Sequence, residues 1–247
     1  MEKVIGIIIQ ARMGSMRLPG KVIKKIEGKT VLEHVIERLK RVKGTTIILA
    51  TTDKKEDDIL EKIAKKNGVS VFRGSENDVL DRFYQAAKLF KLDYIVRITS
   101  DCPLVDPVIV GKVIDFYFKN NFDHVGVDAT FPDGIDAEVF SFVALEKAWK
   151  EATSEEDREH VTPYIWKNHK IFKTGNFSSK ENLHDLRLTL DEKEDFVLII
   201  EIYKELYKKN PKFGLKEVLG LFSRRPELIK INQKITSIPI SRRKNGL

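Results

Sequence analysis

The chain has 247 residues, 42% hydrophobic and 33% charged, with a net charge of +7 and a pI near 9.2. That balance fits one large α/β domain, or one domain with a small lobe, and excludes a disordered chain. No apolar run is long enough to cross a bilayer, residues 1–10 lack the organisation of a signal peptide, and the lone Cys102 excludes an intrachain disulfide; the expected setting is cytoplasmic, with no membrane partner.

Residues 4–9 read as a buried strand. It opens directly into QARMGSMRLPGK, residues 10–21, where Gln10 and Ala11 lead into Gly14, Ser15, Gly20 and the cations Arg12, Arg17 and Lys21. Glycines let a backbone approach a ligand, exposed amides point at its oxygens, and cations neutralise it. The loop therefore suits a polyphosphate; a solvated basic turn is the other reading. Residues 30–42 follow as a helix with Thr30 as its N-cap. Next come a strand at 46–50 and a helix at 54–67, with Asp53 at its start and Gly68 as its stop. A short strand at 69–72, a helix at 78–90 and a strong strand at 94–98 precede a helix at 107–120, with proline in its first turn.

The second half is less regular. Strands are expected at 123–127, 137–142, 171–177 and 186–190, with a turn at 131–135. Helices are expected at 143–151, 155–168, 192–209 and 215–222, the second of them bent or interrupted at Pro163. No linker or internal repeat divides the chain, although a small acceptor-binding or dimerisation lobe could lie around 128–180.

Repeated strand–helix units imply an α/β, Rossmann-like, mostly parallel sheet flanked by helices. Ligands then bind beyond the carboxyl ends of the strands. Chemistry is expected at residues 10–21, 51–53, 73–77, 99–103 and 191–195. Asp101 in RITSDCPLVDP and Asp191 in RLTLDEKED both fall there. Two carboxylates from separate strand ends can hold one Mg2+, with phosphate oxygens and water completing its shell; helix caps or turn formers are the alternative. The cations form no dominant arm, being interspersed with acids as in EDDILEKIAKK, and the basic tail ISRRKNGL is short, so no nucleic-acid partner is expected.

Taken in order, IIIQARMGSMRLPGK, ATTD, RITSDCPLVDP and LTLDEKED resemble the cytidylyltransferase superfamily that includes CMP-KDO and CMP-acylneuraminate synthetases. FRGSENDVLDRFY, PDGIDAEVF and REHVTPYIW bring the likeness closest to the spore coat polysaccharide biosynthesis protein F group. It runs from about residue 4 to residue 195. The resemblance implies a GT-A-like nucleotidyltransferase that uses CTP and Mg2+ to activate a sugar acid as a CMP conjugate, commonly as a homodimer. It implies that Arg12 and Lys21 contact the triphosphate and that Asp101 and Asp191 hold the metal. Ala11, Thr51 and Asp53 would line the nucleotide pocket, with Arg17 and Arg73 as further phosphate or substrate contacts. GIDAEVF stands where better-known members recognise their sugar, so the acceptor can differ.

Other residues carry two readings each. Asp136 and Glu138 flank Ala137 and share a strand face, either touching acceptor hydroxyls or lying exposed. His160 either reaches the acceptor or is a satisfied helix residue. Cys102 has no histidine beside it in sequence and is expected to pack behind the metal loop; Trp149 and Trp166 are expected in the core or at a subunit interface. The rival function is a glycosyltransferase with a nucleotide-sugar donor. Such enzymes often carry D-x-D, where this chain has Ser100-Asp101-Cys102.

Overall fold

Ile7, Ile8 and Ile9 are wholly buried, and they alternate between two separate hydrophobic clusters on opposite faces of one sheet. The computed structural model describes residues 3–235; the basic tail at 240–247 lies outside the described residues. In chain order the elements are β1 (Ile5–Gln10), β2 (Lys25–Ile26), β3 (Lys29–Thr30), α1 (Val31–Leu39), β4 (Thr45–Thr52), α2 (Asp58–Lys66), β5 (Ser70–Gly74) and α3 (Val79–Leu89). Then come β6 (Tyr94–Thr99), α4 (Pro107–Asn120), β7 (His124–Val127), β8 (Glu138–Ser141), α5 (Phe142–Glu151), α6 (Glu155–His160), α7 (Pro163–Lys167), β9 (Thr174–Phe177), α8 (Lys193–Leu206) and α9 (Leu215–Arg224).

The main sheet runs β5-β4-β1-β6-β8-β7-β9. The strands β5, β4, β1 and β6 are parallel, β8 is antiparallel to both neighbours, and β7 and β9 are parallel. The architecture is thus α/β with a mostly parallel sheet. One face packs against α1, α2, α4, α8 and α9, and the other against α3 and α5. No described helix is long and apolar enough to cross a membrane.

Local chemistry explains the boundaries. Thr30 and Glu33 form a reciprocal capping box at the start of α1. Gly68, at φ +67°, closes the turn after α2. The helix expected over 155–168 is two helices, because Pro163 has no N–H to continue α6 and Val161 takes a positive φ of 72°. The strand expected at 171–177 is confined to β9.

Residues 186–190 are not a strand. They touch the 131–135 turn through a single parallel bridge, Asp133 to Arg187, with Leu188 N–H donating to the Asp133 carbonyl at 2.6 Å. Gly134, at φ +93°, makes that approach possible: a Cβ there would lie 2.3 Å from the Thr189 nitrogen. Arg187, Leu188, Thr189 and Leu190 are all buried, so the alternating leucines mark a buried extended loop and not a strand with one exposed face.

Candidate active site

Register brings the ends of three strands to one level. Gln10 pairs with Ala50 of β4 and Thr99 of β6, so the 10–21 loop and the loop after β6 leave the sheet together. Asp57, fully buried, pins the first of these loops by accepting from Met13 N–H at 2.7 Å while bonded to the Thr52 hydroxyl. Buried Leu18 and Val22 anchor its far end, and Gly20 turns the chain with φ +63°. The second loop is tied back by Ser100 N–H to the Gln10 carbonyl at 3.1 Å.

At the centre, the Lys21 ammonium lies 2.6 Å from Asp101 Oδ2 and 2.7 Å from Asp191 Oδ1. Burial pushes the Asp101 carboxyl up, but the Lys21 charge beside it outweighs this and holds it at about 2. Neither aspartate is a helix cap. Asp106 caps α4, and α8 starts with Glu192 and Asp195 as a capping pair. Asp191 reaches Asp101 because Leu190 N–H donates to the Asp101 carbonyl at 2.9 Å, which brings the 186–190 loop against the end of β6.

A buried network orients Asp191. Arg187 contacts Asp195 through Nε and Nη2 at 2.9 Å each, Asp133 at 2.6 Å and Asp191 at 3.4 Å. Asp195 in turn accepts from the Asp191 and Glu192 backbone. Arg17 also meets Asp191 at 3.1 Å. The carboxylates converge on a point already able to host a cation, and all-oxygen donors suit a hard divalent ion. Among the described residues no cluster of three or more His, Cys, Asp or Glu could hold a metal alone, so further oxygens would come from substrate and water.

Gln10, Ala11, Arg12, Gly14, Ser15, Arg17, Lys21, Asp101 and Asp191 line one cleft of about 540 Å³. His160 lies on its α6 wall. A second cavity of about 490 Å³, lined by Asp136 and Glu138, shares Thr99 with it. The three residues expected at the acceptor are therefore divided between two cavities. Glu138 is buried rather than exposed: it accepts from Arg97 at 2.6 Å and Thr162 at 2.8 Å, with His124 at 3.2 Å. Arg97 also donates to Gln10 at 3.1 Å, linking the two cavities.

Three expected nucleotide contacts stand apart from the cleft. Thr51 is fully buried in β4. Asp53 is exposed, with its N–H donated to the Gly74 carbonyl. Arg73 is committed to structure, bonded to Asp58, Glu61 and the Thr52 and Lys54 carbonyls. Cys102 packs behind the Asp101 loop at 2% exposure, 3.2 Å from the Thr99 hydroxyl. Trp149 stacks on Tyr84 and donates to Asp81, while Trp166 lines the second cavity. Arg82, Arg97, Arg187 and Asp57 are absent from the sequence reading of the site. The one signal for Arg82 and Asp57 was a charged residue placed where helix packing demands burial.

Residues 6–222 match the family model for cytidylyltransferase. The chain belongs to the cytidylyltransferase family, and it is a nucleotidyltransferase. It is 44% identical to an uncharacterized protein of Methanocaldococcus jannaschii, over 94% of this chain and 96% of that one. It is 34% identical to the spore coat polysaccharide biosynthesis protein SpsF of Bacillus subtilis, over 89% of this chain and 94% of the relative. A solved cytidylyltransferase from Leptospira borgpetersenii superposes with a TM-score of 0.87 at 35% identity, covering 96% of this chain and 100% of that one.

Proposed function

We propose that the protein transfers CMP from CTP to a hydroxyl of a sugar acid or related sugar, releasing pyrophosphate, and that the product feeds polysaccharide assembly. The observation that carries this reading is the convergence of Asp101 and Asp191 on one ammonium-sized point beside a glycine-bearing, cationic loop. Family membership supplies the nucleotide, and the SpsF relative supplies the polysaccharide context.

Asp101 and Asp191 would hold Mg2+. When bound, the ion polarises phosphate oxygens and offsets developing charge. The chain's own residues do the positioning. Arg12 is half exposed, makes a long 3.5 Å contact to Glu76 among the described residues, and is open to phosphate. Lys21 can turn from the carboxylates to the triphosphate and stabilise the leaving pyrophosphate. The acceptor oxygen attacks the α-phosphorus, the bond to the bridging oxygen of pyrophosphate breaks, and the hydroxyl proton passes to solvent. Orientation supplies much of the acceleration in such a step. In this reading the acceptor occupies the second cavity, which shares Thr99 with the nucleotide cleft.

The test is to incubate the protein with CTP, Mg2+ and a panel of sugar acids and neutral sugars, following pyrophosphate and the new phosphodiester by 31P NMR. Release of a nucleoside diphosphate from a sugar nucleotide, with no pyrophosphate from CTP, would replace this reading with glycosyl transfer.

A further inference from the structure

Arg82 projects from the second turn of α3 and is 2% exposed, yet it lines the nucleotide cleft. Its Nη1 donates to the Ser75 carbonyl at 2.6 Å. Its Nε is buried without a hydrogen-bond partner, and Nη2 makes no hydrogen bond to a protein group among the described residues.

The carboxylates near enough to feel its charge are Asp57, Glu76 and Asp78. Each is engaged elsewhere. Asp57 holds Met13 and Thr52, Glu76 faces Arg12 and Lys54, and Asp78 pairs with Arg158. Burial, with Arg12 adding to it, pushes the guanidinium down to about 10, so it still carries its charge at neutral pH.

A buried cation without a counter-ion is costly, and a buried donor without an acceptor adds to the cost. The seat is nevertheless built. Gly74 backs the stem of Arg82: a Cβ there would stand at van der Waals distance from Arg82 Cγ, 3.4 Å, and would press on the Phe72 ring at 2.9 Å. The other cations of the cleft do not share this condition. Lys21 and Arg17 face Asp101, Asp191 and Glu192, and Arg12 is half exposed.

We propose that Arg82 is a binding residue for the nucleotide's polyphosphate, receiving two phosphate oxygens on its Nε–Nη2 edge. The inference rests on the nucleotide reading above and names a contact that reading did not contain. A guanidinium edge matches a phosphate in a fork of two parallel bonds. A base carbonyl could accept one hydrogen bond but would leave the positive charge uncompensated. The phosphate chain therefore runs between two cationic walls, Arg12 with Arg82 on one side and Lys21 on the other.

The experiment is calorimetric titration of CTP, and separately of inorganic pyrophosphate, into wild type, Arg82→Met and Arg82→Lys, with Mg2+ present and thermal melts of each unliganded protein. Both ligands should bind Arg82→Met on the order of tenfold to a hundredfold more weakly than wild type. The unliganded melting point should change little, because the lost Ser75 hydrogen bond and carboxylate attraction are offset by relief from burying the charge. Arg82→Lys keeps the charge but loses the fork, and should bind both ligands with intermediate affinity; it carries the test if Arg82→Met does not fold. Unchanged pyrophosphate binding in the variants overturns the proposal, whether or not CTP binding falls, since a loss confined to CTP would place Arg82 on the base or ribose. Wild type that binds neither ligand would overturn the nucleotide reading itself.

Discussion

Lys21 and Asp101 form a short ion pair, 2.6 Å from ammonium to carboxylate, and the same ammonium reaches Asp191 at 2.7 Å. A resident lysine and a divalent ion would use the same oxygens. Lys21→Gln should therefore bind Mn2+ in the absence of nucleotide more tightly than wild type, by several-fold, as read by the loss of the free-ion EPR signal. The same variant should lose on the order of a hundredfold in CMP transfer, because one charged contact to the leaving group disappears. A variant that binds Mn2+ no better than wild type would show that Lys21 does not hold the metal position.

Glu138 gives the fold a defined acid sensitivity. Burial raises its carboxyl, and Arg97 with His124 and Thr162 outweighs that, holding it at about 2 against an ordinary 4.5. A depressed folded value means the unfolded state binds the proton first. The stabilisation is complete above about pH 4.5 and is lost as pH falls through about 2, amounting to about 3 kcal/mol. Glu138→Gln should be less stable at pH 7, and its urea midpoint should change less between pH 5 and pH 3 than that of wild type.

Arg187 should act through Asp191 rather than on substrate. It is buried and faces Asp133, Asp191 and Asp195. Arg187→Ala leaves those carboxylates without their shared cation and should cost about 3–5 kcal/mol in chemical denaturation. In Arg187→Lys the charge remains but the fork is lost. Its metal affinity should fall more than its affinity for nucleotide measured without metal, because the orientation of Asp191 is what suffers.

Gly134→Ala should be damaging despite adding only a methyl group. The residue has φ +93°, and the new Cβ would press on the backbone of Leu188 and Thr189, which cannot swing aside as a side chain can. The 186–190 loop would shift, taking Asp191 with it. A loss on the order of 3 kcal/mol in thermal or urea unfolding is expected, together with weaker metal binding in the protein that remains folded.

Much of the first half was legible from periodicity and punctuation. The Thr30 cap, the Gly68 stop and the Pro107 start are local events, and short-range chemistry decides them. The loop from Gln10 to Lys21 was legible for the same reason: its glycines and cations adjoin a strand, and strand ends in parallel sheets face the ligand. The segment from 186 to 190 reads as a strand because leucine alternating with polar residues has a strand's period, yet the intervening Arg187 and Thr189 are buried as well. Arg73 and Arg82 illustrate the limit. Arg73 lies near the end of β5 and Arg82 early in α3, yet Arg73 is saturated by acids and carbonyls while Arg82 has a buried Nε without a hydrogen-bond partner among the described residues. Nothing in their spacing distinguishes them, because the partners come from other elements.

An α/β chain with a phosphate-type loop, and two aspartates at the right places in its order, can be read from the amino acids alone. Those features depend on neighbours within a few residues. Folding is what makes Asp101 and Asp191, 90 positions apart, meet at one lysine, with Leu190 N–H and Arg187 bringing them there. It also makes Glu138 face Arg97 and His124 inside the sheet. Burial and pairing across distant elements set the charge state and reach of each group, and they exist only once the chain has folded.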